Sequence, residues 1–518
     1  MSATINFLML KRELGIIDLT MSSVTGMIGS GWLFSALYAS SIAGPYSIIS
    51  WIVGSLIVAV LALIYADLSG RMPTAGAAAA YPFLTNGDAA GSINAWSLFL
   101  GYASTPPLEV IASITYMNFV MPGLINSSGM LTLRGMLIAI SLLFVFFIIN
   151  AMGIRHTSKV NNYISYLKIG IPIITSFFFI STMFSISNFS YVSSVHPEGI
   201  FTAIPDAGIA FSFLGFRQAV ELSGEAKNPQ RTVPIAIMLS VAIASGIYLL
   251  VQVAFIGSLK WFSLTPGDWS GLYNSAYSSG PMLVLASALG LGALASVLLF
   301  DGVVSPLGTS NVYQTSTSRV VYRISRMGFL TKKIGTLNSN SVPFYALLLD
   351  FFVMSLFILP FPSWYDLVSV NSDLTIIAYM TGPISLVIMN QLGIAPKGFK
   401  LPLAKILAPL GFVFSILIIY WSGYPTTLYM SIIALAGLVL FIFARRSPLK
   451  SLVGASYMIF ILIFVPVASF LGSYGIGLFP FPYDIAIVAV ASLGAFAIGT
   501  RLYVPSADMS DRIKETVN

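Results

Sequence analysis

Apolar runs of about 20 residues recur along the whole chain, and each can cross a hydrocarbon core of roughly 30 Å as a helix. Of the 518 residues, 57% are hydrophobic and 8% are charged, whereas an ordinary soluble protein has roughly 25% charged residues. A soluble fold does not bury so many apolar segments. The sequence therefore predicts an all-α polytopic membrane protein.

We predict fourteen membrane spans, with no sizeable soluble domain between them. The first is not a cleavable signal, because its polar centre lacks a continuous apolar core. Basic residues concentrate in cytoplasmic loops, and only Arg134 and Lys260 fall in predicted outer loops. We therefore predict a multi-pass protein of the plasma (cytoplasmic) membrane with both termini in the cytoplasm. The predicted spans are 15–39, 46–70, 91–121, 131–151, 159–184, 203–223, 232–258, 281–311, 342–360, 372–391, 403–421, 427–444, 451–472 and 483–503.

Composition argues against several classes of chemistry. The chain has no cysteine and only two histidines, His156 and His196, so thiol catalysis and thiolate metal sites are excluded and a histidine-based metal centre is not expected. The net charge of +7 does not indicate nucleic acid binding, because it follows the loop asymmetry of a membrane protein. We predict no enzymatic activity, no cofactor, no metal and no obligatory protein partner, with membrane lipids as the surroundings.

Four predicted spans carry interruptions, in two pairs whose members are five spans apart. Span one contains TGMIGSGWLF, with three glycines, and span six contains AFSFLGFR. Spans three and eight contain Thr105-Pro106-Pro107 and Ser305-Pro306-Leu307-Gly308-Thr309. Breaks in corresponding helices of two halves are typical of transporters built from inverted repeats. We therefore predict a five-plus-five core with discontinuous helices 1 and 6.

The same pattern divides the chain into five parts. They are a cytoplasmic N-terminal segment (1–14), a first repeat of helices 1–5 (15–184), a second repeat of helices 6–10 (203–391), peripheral helices 11–14 (403–503) and a cytoplasmic tail (504–518).

A helix break inside a membrane frees backbone N–H and C=O groups, which a ligand, water or protein must then satisfy. Helix N-termini attract anions and C-termini attract cations, so a zwitterionic amino acid fits a pair of such ends. The amides of Gly29, Ser30 and Gly31 are predicted to face the substrate carboxylate, and the carbonyls near 26–28 and 211–213 are predicted to meet its ammonium. A selective wall, an ordinary packed core or an aromatic belt is formed by Phe211, Phe213, Phe216 and Trp32. The predicted substrate-binding residues are Gly26, Met27, Ile28, Gly29, Ser30, Gly31, Trp32, Phe211, Ser212, Phe213, Leu214, Gly215 and Phe216.

The motifs TGMIGSGWLF and AFSFLGFRQAVELSGEAKNPQRTVP resemble the amino acid, polyamine and organocation (APC) superfamily of secondary transporters. The most specific part is EAKNPQRTVP, residues 225–234, which is similar to the family's cytoplasmic signature after span six. Residues 65–76 and the pair Arg319 and Tyr322 add to the match. The chain looks closest to 14-span permeases of the aspartate/proton symporter type. The resemblance implies a LeuT-like inverted-repeat core and alternating access to a central amino acid site.

Lys168 is the most informative ionisable residue inside a predicted span. A charge at bilayer depth costs at least about 2.5 kcal/mol, so it needs a partner or a role. The resemblance implies proton coupling, because proton-coupled members of the family have a lysine here in place of a sodium ion. The alternative is a lysine that extends to the cytoplasmic interface. Asp301 and Ser305 share a helix face; Asp301 pairs with Lys168, binds the substrate ammonium, or stabilises a kink at Pro306.

Three further charged residues are candidates for a gate or for contact with the substrate side chain. Arg217 has a guanidinium fork that suits a side-chain carboxylate, or it pairs with Glu221 one turn later as an inner gate. Glu109, which follows the prolines of span three, either contacts the substrate or forms a structural pair.

The sequence thus predicts an amino acid importer driven by proton symport, with aspartate-like or neutral substrates. Four carrier or non-carrier alternatives remain: an amino acid exchanger, a sodium symporter, a carrier of polyamines or other organic cations, and an amino acid sensor or channel.

Overall fold

The computed structural model describes residues 12–126, 129–192, 196–262, 264–359, 363–445 and 451–504. Within these ranges the regular secondary structure is helical, with three isolated β-bridges. The prediction of an all-α chain is therefore confirmed for the described residues. Most of the predicted N-terminal segment (1–11) and nearly all of the predicted tail (505–518) lie outside them.

Seven helices form the N-terminal third of the chain. They are α1 Ile16–Met27, α2 Gly31–Ala43, α3 Ser47–Arg71, α4 Ala77–Asn86, α5 Asp88–Met117, α6 Leu133–Ala151 and α7 Ile154–Thr182. The 41 residues of Gly31–Arg71 would extend roughly 60 Å as one helix, twice the hydrocarbon thickness. The chain instead turns at Gly44, whose φ of 51° begins a short 3-10 segment between α2 and α3.

The middle of the chain contains four short helices and two long ones in its described residues. They are α8 Gly199–Asp206, α9 Ile209–Phe213, α10 Gln218–Glu221, α11 Pro229–Ser258, α12 Pro281–Ala288 and α13 Gly292–Arg326. Seven helices follow: α14 Phe344–Phe357, α15 Trp364–Tyr379, α16 Thr381–Gln391, α17 Ala404–Trp421, α18 Thr426–Arg445, α19 Ser451–Leu471 and α20 Tyr483–Arg501.

Nine helices of the described ranges are long and apolar enough to cross a membrane, or ten if the bent segment 199–225 forms one span. Helix overlaps each of the fourteen predicted positions. Some helices at these positions are too short for a full membrane crossing, such as α14 with 14 residues. Others are broken. The multi-pass character is therefore supported, whereas the count of fourteen stays a prediction.

The expected interruptions at prolines in spans three and eight are wrong. Pro106 and Pro107 lie inside the continuous helix α5, and Pro306 lies inside the continuous helix α13. A proline inside a helix removes one backbone hydrogen bond, and side chains can supply replacements near it. The Ser113 hydroxyl donates to the C=O of Val303 at 3.0 Å, close to Pro306. Asp301 lies five residues before Pro306 in α13, and the kink role considered for it stays a prediction.

The long helices α5 and α13 pack against each other, and α1 packs against α7, α11 and α13. The second broken segment, α8 to α10, also lies against α1, α2 and α3. This packing brings the two interrupted segments together in the interior of the protein.

Candidate functional site

The first interruption separates α1 from α2. α1 ends at Met27 and α2 begins at Gly31, so Ile28, Gly29 and Ser30 lie between two helix ends. All five residues are buried. Because the ends of helices expose unpaired backbone groups, this segment presents amide and carbonyl groups inside the protein. The break lies within TGMIGSGWLF, the stretch whose glycines led to its prediction.

The second interruption lies between α8 and α10. Gly208 has φ of 76°, a conformation that favours glycine, and it begins the five-residue helix α9. A 3-10 segment at 214–217 then leads into α10. Residues 199–206 and residues 209–225 are bent by 56° relative to each other. The predicted site residues 211–216 therefore lie in a distorted stretch of short helices.

Glycines allow the two interruptions to touch through their backbones. A Cβ added to Gly26 would lie 3.3 Å from the Cα of Gly215 and 2.8 Å from the Cγ of Gln218. A Cβ added to Gly215 would overlap the backbone of Gly26 and Met27. A larger side chain at either glycine would force the two segments apart.

Tyr248 of α11 bridges carbonyl groups from both interruptions. Its hydroxyl lies 2.7 Å from the C=O of Met27 and 3.3 Å from the C=O of Ser212. The ring stacks on Trp51 at a centroid distance of 4.6 Å. Tyr248 therefore holds the carbonyl groups that the sequence assigned to a substrate ammonium.

Glu109 of α5 holds the amide side of the first interruption. Its Oε2 accepts a hydrogen bond from the Ser30 N–H at 2.7 Å, and the residue is fully buried. Its Oε1 has no hydrogen-bond partner among the described residues, although it lies close to Gly29. The Glu109 carboxylate thus accepts the hydrogen bond of the Ser30 amide, which was predicted to bind a substrate carboxylate.

Lys168 of α7 lies on the other side of the same interruption. Its ammonium donates to the C=O of Thr25 at 3.0 Å and to the hydroxyl of Thr309 at 2.5 Å. The Thr309 hydroxyl in turn donates to the Thr25 C=O at 2.8 Å. Lys168 is fully buried, so it does not extend to the interface. It ties the last turn of α1 to α13.

Asp301 and Ser305 lie on α13, two turns and one turn before Thr309, respectively. The Ser305 hydroxyl reaches the C=O of Ile28 only at 3.5 Å. Asp301 lies near Trp32 and is close enough to Lys168 to interact with it electrostatically. The Lys168 ammonium nevertheless makes its hydrogen bonds to Thr25 and Thr309.

Aromatic residues cover the predicted outer side of the first interruption. The Trp364 indole N–H donates to the Ser30 hydroxyl at 2.6 Å. Trp364 also stacks on Phe34 and Tyr38 at 5.2 and 5.7 Å, and it meets Phe211 edge-on at 6.0 Å.

The other predicted wall residues pack toward the interior. Phe213 contacts Trp51 and Tyr248, whereas Phe216 contacts Tyr65 and Tyr379. Leu214 belongs to the same stretch, and its C=O accepts a hydrogen bond from the Tyr379 hydroxyl at 2.7 Å.

Arg217 and Glu221 form a buried ion pair on the predicted inner side of the second interruption. One guanidinium nitrogen, Nη2, lies 3.4 Å from the Glu221 Oε1, and both side chains are fully buried. The rings of Tyr65 and Tyr379 lie 4.3 and 3.8 Å from the guanidinium carbon. This is the pairing that the sequence offered as one of two roles for Arg217.

The sequence did not single out Thr25, Thr309, Tyr248 or Trp364. Only Thr309, one turn after Ser305, carried a signal, because it shares the face assigned to the coupling residues. In the part of the chain that the structure describes, no group of three or more His, Cys, Asp or Glu side chains could hold a metal ion.

Comparison with known proteins identifies the family. The family model described as "Amino acid permease" matches residues 14–480. The chain belongs to the amino acid permease family. This permease is 34% identical over 508 residues to the glutamate/serine transporter AimA of Bacillus subtilis (strain 168), covering 93% of this chain and 92% of the relative. It is 31% identical over 505 residues to the aspartate-proton symporter of the same organism, covering 94% and 95%.

A more distant relative is the branched-chain amino acid permease BcaP of Bacillus subtilis (strain 168), 22% identical over 458 residues and covering 84% of this chain and 94% of the relative. The relatives named here are transporters or permeases rather than enzymes. The expected resemblance to the APC superfamily is confirmed, and with it the expectation of a multi-pass membrane protein with transporter relatives.

Proposed function

We propose that this permease imports amino acids by proton symport through alternating access. One observation carries the proposal: the carboxylate of Glu109 holds the Ser30 amide while the ammonium of Lys168 holds the Thr25 carbonyl, on either side of one helix interruption. Two groups that can gain or lose a proton therefore control the two kinds of backbone group that bind a zwitterion.

Glu109 links proton binding to substrate binding by competition. The Ser30 N–H can serve the Glu109 carboxylate or the substrate carboxylate, and two carboxylates at this buried position repel each other strongly. Protonation of Glu109 removes its charge and weakens its hold on the amide, because hydrogen bonds to ionised acceptors are about twice as strong as neutral ones. The substrate carboxylate then takes its place.

Lys168 links proton loss to movement of α1. The charged ammonium joins Thr25 at the end of α1 to Thr309 of α13. Loss of the proton removes the charge that strengthens both hydrogen bonds. The inner half of the first broken helix is then free to move away from α13 and open the site to the cytoplasm.

The proposed architecture has fourteen spans with both termini in the cytoplasm of a plasma membrane. Two inverted repeats, 15–184 and 203–391, surround the site, and helices within 403–503 lie at the periphery. The two interrupted helices then correspond to helices 1 and 6. The packing of α1 against the segment that contains α9 and α10 supports this arrangement, because transporters of this design bind substrate between their discontinuous helices.

Relatives named for aspartate, glutamate and serine favour an acidic or small polar amino acid as substrate. Two other mechanisms would use the same site. An exchanger would need internal substrate and ignore a pH step, and a sodium symporter would require external sodium.

Amino acid binding is expected to stabilise the purified protein. At 100 times the dissociation constant, a ligand adds about 2.7 kcal/mol to the free energy of unfolding. A thermal-shift screen of the detergent-solubilised protein against the twenty amino acids is therefore expected to give a raised melting temperature with a small subset. If none raises it, polyamines and other organic cations become the next ligands to screen, and the amino acid proposal is wrong.

Transport of an acidic amino acid with one proton is expected to carry no current. The substrate contributes one negative charge and the proton one positive charge, so the membrane potential does not drive uptake. A neutral substrate with one proton would instead gain about 2.3 kcal/mol per 100 mV. Recording from proteoliposomes on a solid support measures this directly: electrically silent aspartate uptake supports one proton per acidic substrate, and an inward current excludes that stoichiometry.

A further inference from the structure

Arg217 differs from the other buried arginines of the described chain that form ion pairs. Arg71 places its Nε 2.5 Å from an Asp67 carboxylate oxygen and donates also to Asn390 and the Ile394 C=O. Arg319 contacts both oxygens of Glu225, at 2.8 and 3.5 Å, and also reaches Thr315 and Ser318. In both cases all three guanidinium nitrogens have an acceptor, as expected for a structural arginine.

The guanidinium of Arg217 is only partly satisfied. Its one ion-pair contact, from Nη2 to Glu221, measures 3.4 Å, whereas charge-assisted hydrogen bonds usually measure about 2.7–2.9 Å. The Nε and Nη1 atoms have no acceptor among the described residues, although Arg217 is fully buried. A buried charge that lacks partners is costly, so this one requires an explanation.

The surroundings of Arg217 favour a planar anion as the missing partner. The rings of Tyr65 and Tyr379 lie within 4.3 Å of the guanidinium carbon and stabilise its charge. The N–H donors of a guanidinium point outward in its own plane, where they match the two oxygens of a carboxylate. Glu221, whose Oε2 also lacks a partner in the described part of the chain, supplies a single weak contact.

Arg217 is also continuous with the proposed amino acid site. It lies two residues after Gly215, which meets the backbone of Gly26 and Met27. The Tyr379 ring that packs on Arg217 belongs to the residue whose hydroxyl binds the Leu214 C=O. The guanidinium therefore adjoins the second interruption rather than a separate surface.

We propose that Arg217 receives the side-chain carboxylate of the substrate, so that the permease selects dicarboxylic amino acids such as aspartate and glutamate over their amides and over neutral amino acids. In the substrate-free protein Glu221 takes the place of this carboxylate through its weak contact, and it yields when an acidic substrate arrives. This inference rests on the proposed amino acid transport function, whose site it extends by one charged subsite.

The test compares aspartate with asparagine, which have nearly the same shape but differ in the charge of the side chain. Binding is measured by calorimetry on the full-length protein in lipid nanodiscs. A hydrogen bond to a charged group is worth about 1.5–3 kcal/mol, so we expect the wild-type protein to prefer aspartate by roughly 10- to 150-fold. Arg217→Gln is expected to lower aspartate affinity by that factor and to leave asparagine affinity within about threefold.

Two further variants keep the test decisive. Arg71→Gln also removes a buried, paired arginine, and we expect it to lower the melting temperature while keeping the aspartate preference. If Arg217→Gln does not fold, Glu221→Gln replaces it: removal of the competing carboxylate is expected to increase the aspartate preference. An Arg217→Gln or Glu221→Gln protein with an unchanged preference would overturn the proposal and leave Arg217 a gate residue.

The wild-type protein separates this inference from the proposed function. Binding of neutral amino acids without binding of aspartate or glutamate would overturn the role of Arg217 and leave amino acid transport intact. Absence of binding for every amino acid would instead overturn the proposed function on which the subsite depends.

Discussion

Replacement of Gly29 by alanine is expected to abolish amino acid uptake in a protein that still folds. A Cβ at this position would lie 2.6 Å from the Thr309 hydroxyl and 2.8 Å from the Glu109 Cδ, and it would overlap the Glu109 Oε1. Real Cβ atoms essentially never approach other atoms so closely. Because Glu109 and Thr309 are themselves fully buried, they have little room to retreat.

The Gly29→Ala substitution therefore disturbs the site of the proposed substrate carboxylate, next to Glu109 and to Thr309, which binds Lys168. Loss of two charge-assisted hydrogen bonds to the substrate would cost about 3 kcal/mol or more, so we expect uptake to fall by at least roughly 100-fold. Overpacking itself is expected to cost about 1–3 kcal/mol of stability. Uptake of labelled aspartate into proteoliposomes and the melting temperature measure the two effects separately.

Gly246 and Gly170 provide matched controls. A Cβ added at either position would have no neighbour within 4 Å in the described part of the protein, and both lie inside long helices, α11 and α7. Alanine at these positions is expected to leave uptake unchanged. A Gly29→Ala protein that transports at the wild-type rate would rule out the proposed carboxylate site.

Replacement of Lys168 by alanine is expected to remove the response of uptake to a pH gradient. Its ammonium joins Thr25 to Thr309, and we assign proton release to it. An acidic substrate moving with one proton gains about tenfold accumulation per pH unit. In the Lys168→Ala protein, measured at zero membrane potential, this gain is expected to disappear, so that internal and external substrate concentrations become equal.

Lys260 serves as the control for removal of a lysine. Its ammonium also donates to a backbone carbonyl, that of Ala288 at 2.8 Å, but it lies in a predicted outer loop away from the interruptions. Lys260→Ala is expected to accumulate substrate as the wild type does. A Lys168→Ala protein that still accumulates substrate tenfold per pH unit would contradict proton coupling through this lysine.

The same variant distinguishes proton coupling from sodium coupling. Removal of the ammonium leaves the C=O of Thr25 beside the hydroxyl of Thr309, and oxygen atoms of this kind can coordinate a small cation. If Lys168→Ala gains sodium-dependent binding, the lysine replaces a sodium ion. If neither pH nor sodium affects the wild-type protein, and uptake requires internal substrate, the permease is an exchanger.

The sequence predicted the helical class and the two principal interruptions because these depend on local properties. The length of an apolar run does not depend on what packs against it. Glycine weakens a helix at any interior position, including the positions around Gly29. Prolines were less informative: Pro106 and Pro306 lie within continuous helices. A proline removes a single hydrogen bond, and neighbouring side chains in the fold compensate for it.

The position of Glu109 on the Ser30 amide joins residues 79 positions apart. The sequence singled out Glu109 as a charge inside a predicted span and Ser30 as part of a helix break, but nothing in the sequence linked the two residues. The same holds for Tyr248 and Met27, which are 221 positions apart. Such contacts depend on the packing of α5 and α11 around the interruptions.

The sequence by itself determined that this chain is a multi-pass helical protein with weak points in two of its helices, and its motifs indicated the family. Only the tertiary structure decided which side chains satisfy the backbone groups exposed at those weak points. The physical reason is that helix formation and membrane insertion are governed by neighbours along the chain. The satisfaction of a buried N–H or C=O is governed by neighbours in space, which the order of residues does not specify.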